Sequence, residues 1–136
     1  MGIRILVVED DAILALIASE ALAEAGHEVL GPAYDAGSAR TLAAAGNIDL
    51  ALVDVNLAGA DEGLDVAREL RERHGIRSLF VSGQVATARM HRGLALGLLR
   101  KPYEIEELLQ SVAWAYGVAS GNAPQAGSRP AMLDIF

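Results

Sequence analysis

Three apolar runs in this chain each end on charged residues, and that repetition limits the folds open to it. Ile3-Arg4-Ile5-Leu6-Val7-Val8 leads into Glu9-Asp10-Asp11, Leu50-Ala51-Leu52-Val53 ends at Asp54, and Leu96-Gly97-Leu98-Leu99-Arg100 runs into Lys101. Short, nearly continuous apolar runs are the mark of strands buried on both faces, and such strands belong to parallel sheets covered by helices. Charges at the end of each run then collect at the carboxyl edge of the sheet, where open α/β sheets bind their ligands.

Helical spacing fills the gaps between the runs. Ile13, Leu14, Leu16, Ile17, Ala21 and Leu22 recur at helical spacing from an N-cap at Asp11, and Gly26 closes that helix, which covers about 11–25. A short strand at 27–31 is expected to stop at Pro32, and an alanine-rich helix covers 36–45. Strand 50–54, an amphipathic helix over 64–74, strand 78–82, a weaker helix over about 87–93, strand 96–99 and a last helix over about 104–118 complete the pattern. Five strands alternating with five helices predict a doubly wound (βα)5 α/β fold with a five-stranded parallel sheet. Residues 1–119 form this unit; 120–136 is rich in Gly, Ser, Asn, Gln and Pro and is expected to be a linker-like, disordered tail, although Met132-Leu133-Asp134-Ile135-Phe136 is apolar enough to dock on a groove.

Composition removes several classes of function. The 136 residues contain no cysteine, so disulfides and thiol chemistry are excluded. No run approaches the roughly 18 apolar residues of a membrane span, and Met1-Gly2-Ile3-Arg4 enters a strand directly, so a cytoplasmic protein without membrane association is expected. Eighteen acidic against eleven basic residues give a formal charge of −7, which opposes binding to nucleic acid through phosphate contacts.

Glu9-Asp10 after strand 1, Asp54 after strand 3, Ser82 after strand 4 and Lys101-Pro102 after strand 5 together resemble the receiver domains of two-component response regulators, over about residues 3–118. The resemblance implies a flavodoxin-like strand order 2-1-3-4-5. It implies phosphorylation of Asp54 by a sensor histidine kinase or phosphotransfer protein, and self-catalysed phosphorylation and dephosphorylation dependent on Mg²⁺ or Mn²⁺. Asp10 would then be a direct metal ligand, Glu9 an outer one acting through water, Asp54 both ligand and nucleophile, and Asn56 the donor of a backbone carbonyl. Lys101 would pair with Asp54 and then with the phosphoryl group, which Ser82 would also contact, and Pro102 would be structural. Magnesium prefers hard oxygen ligands and retains several waters, which suits this set.

Two departures stand out. Leu98 occupies the position three residues before Lys101 where receivers usually carry an aromatic switch residue. Strand 4 ends Leu79-Phe80-Val81-Ser82-Gly83 and the loop from Asp54 to Gly63 is one residue longer than the commonest form, both similar to a subgroup of single-domain alphaproteobacterial receivers whose strand 4 ends Phe-Ala-Thr-Gly and whose kinases are of the HWE or a related type. A stand-alone regulator, monomeric or weakly dimeric, that signals by docking or acts as a phosphate sink is the expected function. The alternative is a degenerate receiver that only binds protein. A haloacid-dehalogenase-type phosphatase would carry Asp-x-Asp after its first strand rather than Asp54-Val55-Asn56 after the third. A dinucleotide site would need glycines where Glu9-Asp10-Asp11 would repel a pyrophosphate.

Overall fold

The computed structural model describes residues 2–57, 62–121 and 133–136. In chain order the elements are β1 (Arg4–Val8), α1 (Ala12–Glu24), β2 (Glu28–Ala33), α2 (Ala36–Ala44), β3 (Leu50–Asp54), α3 (Glu62–His74), β4 (Ser78–Ser82), α4 (Val85–Met90), β5 (Gly97–Arg100), α5 (Ile105–Ala119) and β6 (Leu133–Ile135). They build a six-stranded sheet of order β2-β1-β3-β4-β5-β6. The first five strands pair in parallel, and β6 pairs antiparallel with β5.

Alternation along the strands divides the core into two layers. Ile5, Val7, Leu50, Leu52, Leu79 and Leu99 face α1 and α5, whereas Leu6, Val8, Ala51, Val53, Phe80 and Leu98 face α2, α3 and α4. Both faces are apolar, so β3 and β4 are buried at every position. Asp11 caps α1, its Oδ1 accepting from the N–H groups of Ile13 (3.0 Å) and Leu14 (3.1 Å), and Asp35 Oδ1 caps α2 by accepting from Ser38 N–H at 2.7 Å. Among the described residues no helix is long and apolar enough to cross a membrane.

Three expectations need correction. The sheet has six strands rather than five, because Leu133–Ile135 adds to the free edge of β5; residues 122–132 of the expected tail lie outside the described residues. Pro32 does not stop β2 but sits inside it, which the fold tolerates because β2 is an edge strand whose pairing with β1 shifts register between Leu6 and Val8. The weak helix expected over 87–93 is Val85–Met90 followed by a 3-10 turn at Arg92–Leu94.

One close approach fixes the end of β3. Gly63, in the first turn of α3, donates its N–H to Val55 O at 3.2 Å, and a Cβ there would fall 1.9 Å from Asp54 O and 2.7 Å from Val55 O. The helix therefore lies directly against the backbone that carries Asp54. Gly63→Ala should cost about 1–3 kcal/mol of unfolding free energy through overpacking. Urea denaturation would show it as a lower midpoint at unchanged slope, and a midpoint equal to wild type would remove this contact from the account.

Candidate functional site

The chain reverses direction across the sheet between β1, which is followed by β2 on one side, and β3 on the other. Val8 lies in register with Val53, so Glu9 and Asp54 leave neighbouring strands at that switch point. Both carboxylates are buried, with 7% and 6% of their residue surface exposed. Lys101, just past β5, reaches back between them: its Nζ lies 2.6 Å from Glu9 Oε1 and 3.4 Å from Asp54 Oδ2. The other oxygen of each acid takes a backbone donor, Glu9 Oε2 from Asp11 N–H at 3.2 Å and Asp54 Oδ1 from Asn56 N–H at 3.1 Å. Asp10 is exposed, and one of its carboxylate oxygens lies within 4.8 Å of oxygens from Glu9 and Asp54.

Charge is out of balance in this cluster. Burial, followed by the hydrogen bond with Asp54, raises the Glu9 carboxyl from 4.5 to about 7 despite the opposing pull of Lys101. For Lys101 burial disfavours the ammonium, but its hydrogen bond to Glu9 and the charges of both acids outweigh it and hold the amine above its ordinary range. One ammonium therefore faces three carboxylates, one of them solvated, and a proton or a cation would relieve the repulsion between the two buried ones. Three convergent carboxylates, one of them at the surface, match the hard oxygen donors that a hydrated magnesium ion takes.

The remaining candidate residues fall around this cluster. Ser82 ends β4 in register with Arg100, is buried, and its Oγ accepts Gln84 N–H at 2.8 Å. The Lys101 N–H donates to Ser82 O at 3.1 Å, so the ends of β4 and β5 are tied together, and Pro102 breaks the chain immediately after. Leu98 lies away from the carboxylates, fully buried against the layer that contains Phe80 and Ala88. Two features escaped sequence reasoning. Lys101 sits closer to Glu9 than to Asp54. Tyr103 lines the cavity beside Glu9 and Asp54, and burial followed by the Glu9 charge raises its phenol above the ordinary range; its place two residues after Lys101 was the available signal.

Comparison with known proteins defines the family and the fold. A model of the response regulator receiver domain matches residues 5–113, and the chain belongs to that family. It is 31% identical over 116 residues to the transcriptional regulatory protein PdtaR of Mycobacterium tuberculosis, an alignment that takes in 82% of this chain and 56% of that protein. It is 33% identical over 111 residues to the uncharacterized transcriptional regulatory protein YrkP of Bacillus subtilis, covering 79% of this chain and 47% of the other. The chain thus spans about half the length of these curated relatives. Among solved structures the receiver domain of NtrX from Brucella abortus superposes with a TM-score of 0.76 at 27% identity, over 82% of this chain and 97% of that one. A CheY-like receiver domain protein from Methanospirillum hungatei, at 22% identity and a TM-score of 0.76, shares the fold.

A pH dependence follows from Glu9. Its carboxyl titrates near 4.5 in the unfolded chain and near 7 in the folded one, so the native state holds that proton more tightly. The resulting stability is present below the unfolded value and is lost as pH rises through about 7. In chelator-treated protein the melting temperature should fall between about pH 5 and about pH 8, and Glu9→Gln should flatten that slope. A wild-type slope identical to that of Glu9→Gln would contradict the assignment.

Proposed function

We propose that this receiver domain accepts a phosphoryl group on Asp54 in a reaction supported by Mg²⁺ or Mn²⁺, with a sensor histidine kinase or a phosphotransfer protein as donor, in the cytoplasm. The observation that carries this reading is the Lys101 ammonium set between Glu9 and Asp54, with Asp10 near enough to share a cation. An Asp54 carboxylate oxygen attacks phosphorus, the bond from phosphorus to the donor's imidazole nitrogen breaks, and its electron pair leaves with the imidazole. Asp10, Asp54, the Asn56 carbonyl and, through water, Glu9 would hold the metal, which supplies the positive charge that lets two anionic reactants meet.

The chain's own groups do the rest. Lys101, already beside Asp54, turns from the carboxylates to a phosphoryl oxygen, where charge accumulates during transfer. Ser82 Oγ accepts from Gln84 and keeps its own proton to donate to a second phosphoryl oxygen. Every group this chemistry uses lies between Glu9 and Lys101.

The end of β4, Phe80-Val81-Ser82-Gly83, supports placement near the alphaproteobacterial subgroup with Phe-Ala-Thr-Gly at this point, and with it an HWE-type kinase as donor. Output would come by docking to a target or by drawing phosphate from a competing regulator. Leu98, buried where an aromatic switch usually stands, favours one other reading, a degenerate receiver that binds protein without being phosphorylated.

Intact mass separates the two readings. Incubated with phosphoramidate and Mg²⁺, the wild-type chain should gain one phosphoryl group and Asp54→Asn none. Phosphorylation of the Asp54→Asn variant would overturn the acceptor, and an inert wild type would favour the degenerate reading. Mg²⁺ alone should raise the melting temperature with its occupancy of the native state, and Asp10→Ala should remove most of that rise.

A further inference from the structure

The short strand β6 is held far more specifically than three residues of chance pairing would be. Leu133 is buried, and Asp134 sits between two arginines: its Oδ2 accepts from Arg89 Nη2 on α4 and its Oδ1 from Arg100 Nη2 on β5, each at 2.9 Å. Burial works against ionisation of Asp134, but the hydrogen bonds from Arg100 and Arg89 outweigh it and hold the carboxyl below its ordinary range. Phe136 donates its N–H to Leu96 O at 3.1 Å, sets its ring edge-on to Phe80 at 6.3 Å between centroids, and lies beneath the Arg92 guanidinium at 6.0 Å. The receiving strand is cut to match. A Cβ on Gly97 would lie 2.6 Å from Asp134 O, so β5 carries a glycine where the β6 backbone comes too near for a side chain.

Without this segment β5 would present unpaired N–H and C=O groups at the edge of the sheet, a template for another chain's strand. We propose that Leu133–Phe136 is a built-in ligand of the β5 edge, clamped through Asp134 to α4 and β5, that masks the edge in the resting domain and leaves it when Asp54 is phosphorylated. The release half rests on the phosphoacceptor reading above; the masking half does not.

Both arms of the clamp lead to the site. Ser82 Oγ accepts Gln84 N–H, Gln84 O accepts Ala88 N–H at 3.0 Å in the first turn of α4, and Arg89 follows Ala88. On the other arm Arg100 directly precedes Lys101. A phosphoryl group that draws in the Ser82 hydroxyl and the Lys101 ammonium therefore pulls at both guanidinium carriers. The α4 helix has only six residues, and Gln84 gives it no side-chain cap, so it has little to resist such a pull. Release would uncover a strand edge flanked by Arg89 and Arg100, suited to a partner strand that carries a carboxylate where Asp134 now lies.

Amide exchange on the intact chain, read by NMR with Mg²⁺ and beryllofluoride as phosphoryl mimic, tests both halves. On adding the mimic, the Phe136 amide should exchange at least about tenfold faster while amides around Asp54 and Lys101 shift. Shifts at Asp54 and Lys101 with Phe136 still protected would overturn the release, whereas silence at Asp54 itself would count against the phosphoacceptor reading and remove the release with it. Without the mimic, Asp134→Ala and Arg89→Ala should each give the same fast exchange at Phe136, and unchanged protection in both would overturn the clamp. Protection that light scattering assigns only to a dimer would place a second copy's strand on the edge and overturn the intramolecular form.

Discussion

A single ammonium between two buried carboxylates governs this structure. Glu9 and Asp54 each give up most of their hydration at the ends of adjacent strands, and one Lys101 cannot neutralise both. Each remaining oxygen is met by a backbone N–H, from Asp11 and Asn56, so the starts of two loops hold these acids in place. What is left over is negative charge facing Asp10 and solvent. That surplus makes the cluster costly when bare, and in the proposed function a cation would offset it while Lys101, already beside Asp54, needs only a short turn to reach a phosphoryl oxygen.

The same contacts explain how far the site reaches. Lys101 and Ser82 are bonded through the backbone at the ends of β5 and β4, and Ser82 touches the entry to α4. Leu98 fills the core beneath that helix and has no polar group with which to report a change at Asp54. In the proposed release, coupling outward passes through hydrogen-bonded and ionic groups instead. The Arg89–Asp134–Arg100 cluster is such a link, spanning α4, β5 and β6.

Much of this was legible in the residues, for physical reasons. Strands buried on both faces read as continuous apolar runs, which is why β3 and β4 fall where the sequence places them, and Asp11 was recognisable as a cap because a short acceptor before an apolar periodicity has few other uses. The charged strand ends led to Glu9, Asp54 and Lys101 together. What could not be read was nonlocal. Leu133–Ile135 has too few residues to show a period, and its partner is a strand far earlier in the chain whose glycine looks, in sequence, like a weakness rather than a fit. Pro32 read as a stop because only the sheet order makes β2 an edge strand. The Glu9–Lys101 contact joins the ends of β1 and β5, which are not neighbours in the sheet, and no spacing encodes it.

In the proposed function, unbalanced carboxylate charge, with Lys101 as its partial internal counter-ion, gives the site its affinity for a divalent cation. Calorimetric titration of Mg²⁺ into wild type and Lys101→Met, with folding of the variant checked by circular dichroism, addresses it directly. Wild type should bind one Mg²⁺, and Lys101→Met should bind it more tightly because the carboxylates have lost their competing positive charge. An affinity that is unchanged or weaker in Lys101→Met, or wild-type protein that takes up no Mg²⁺, would contradict the account.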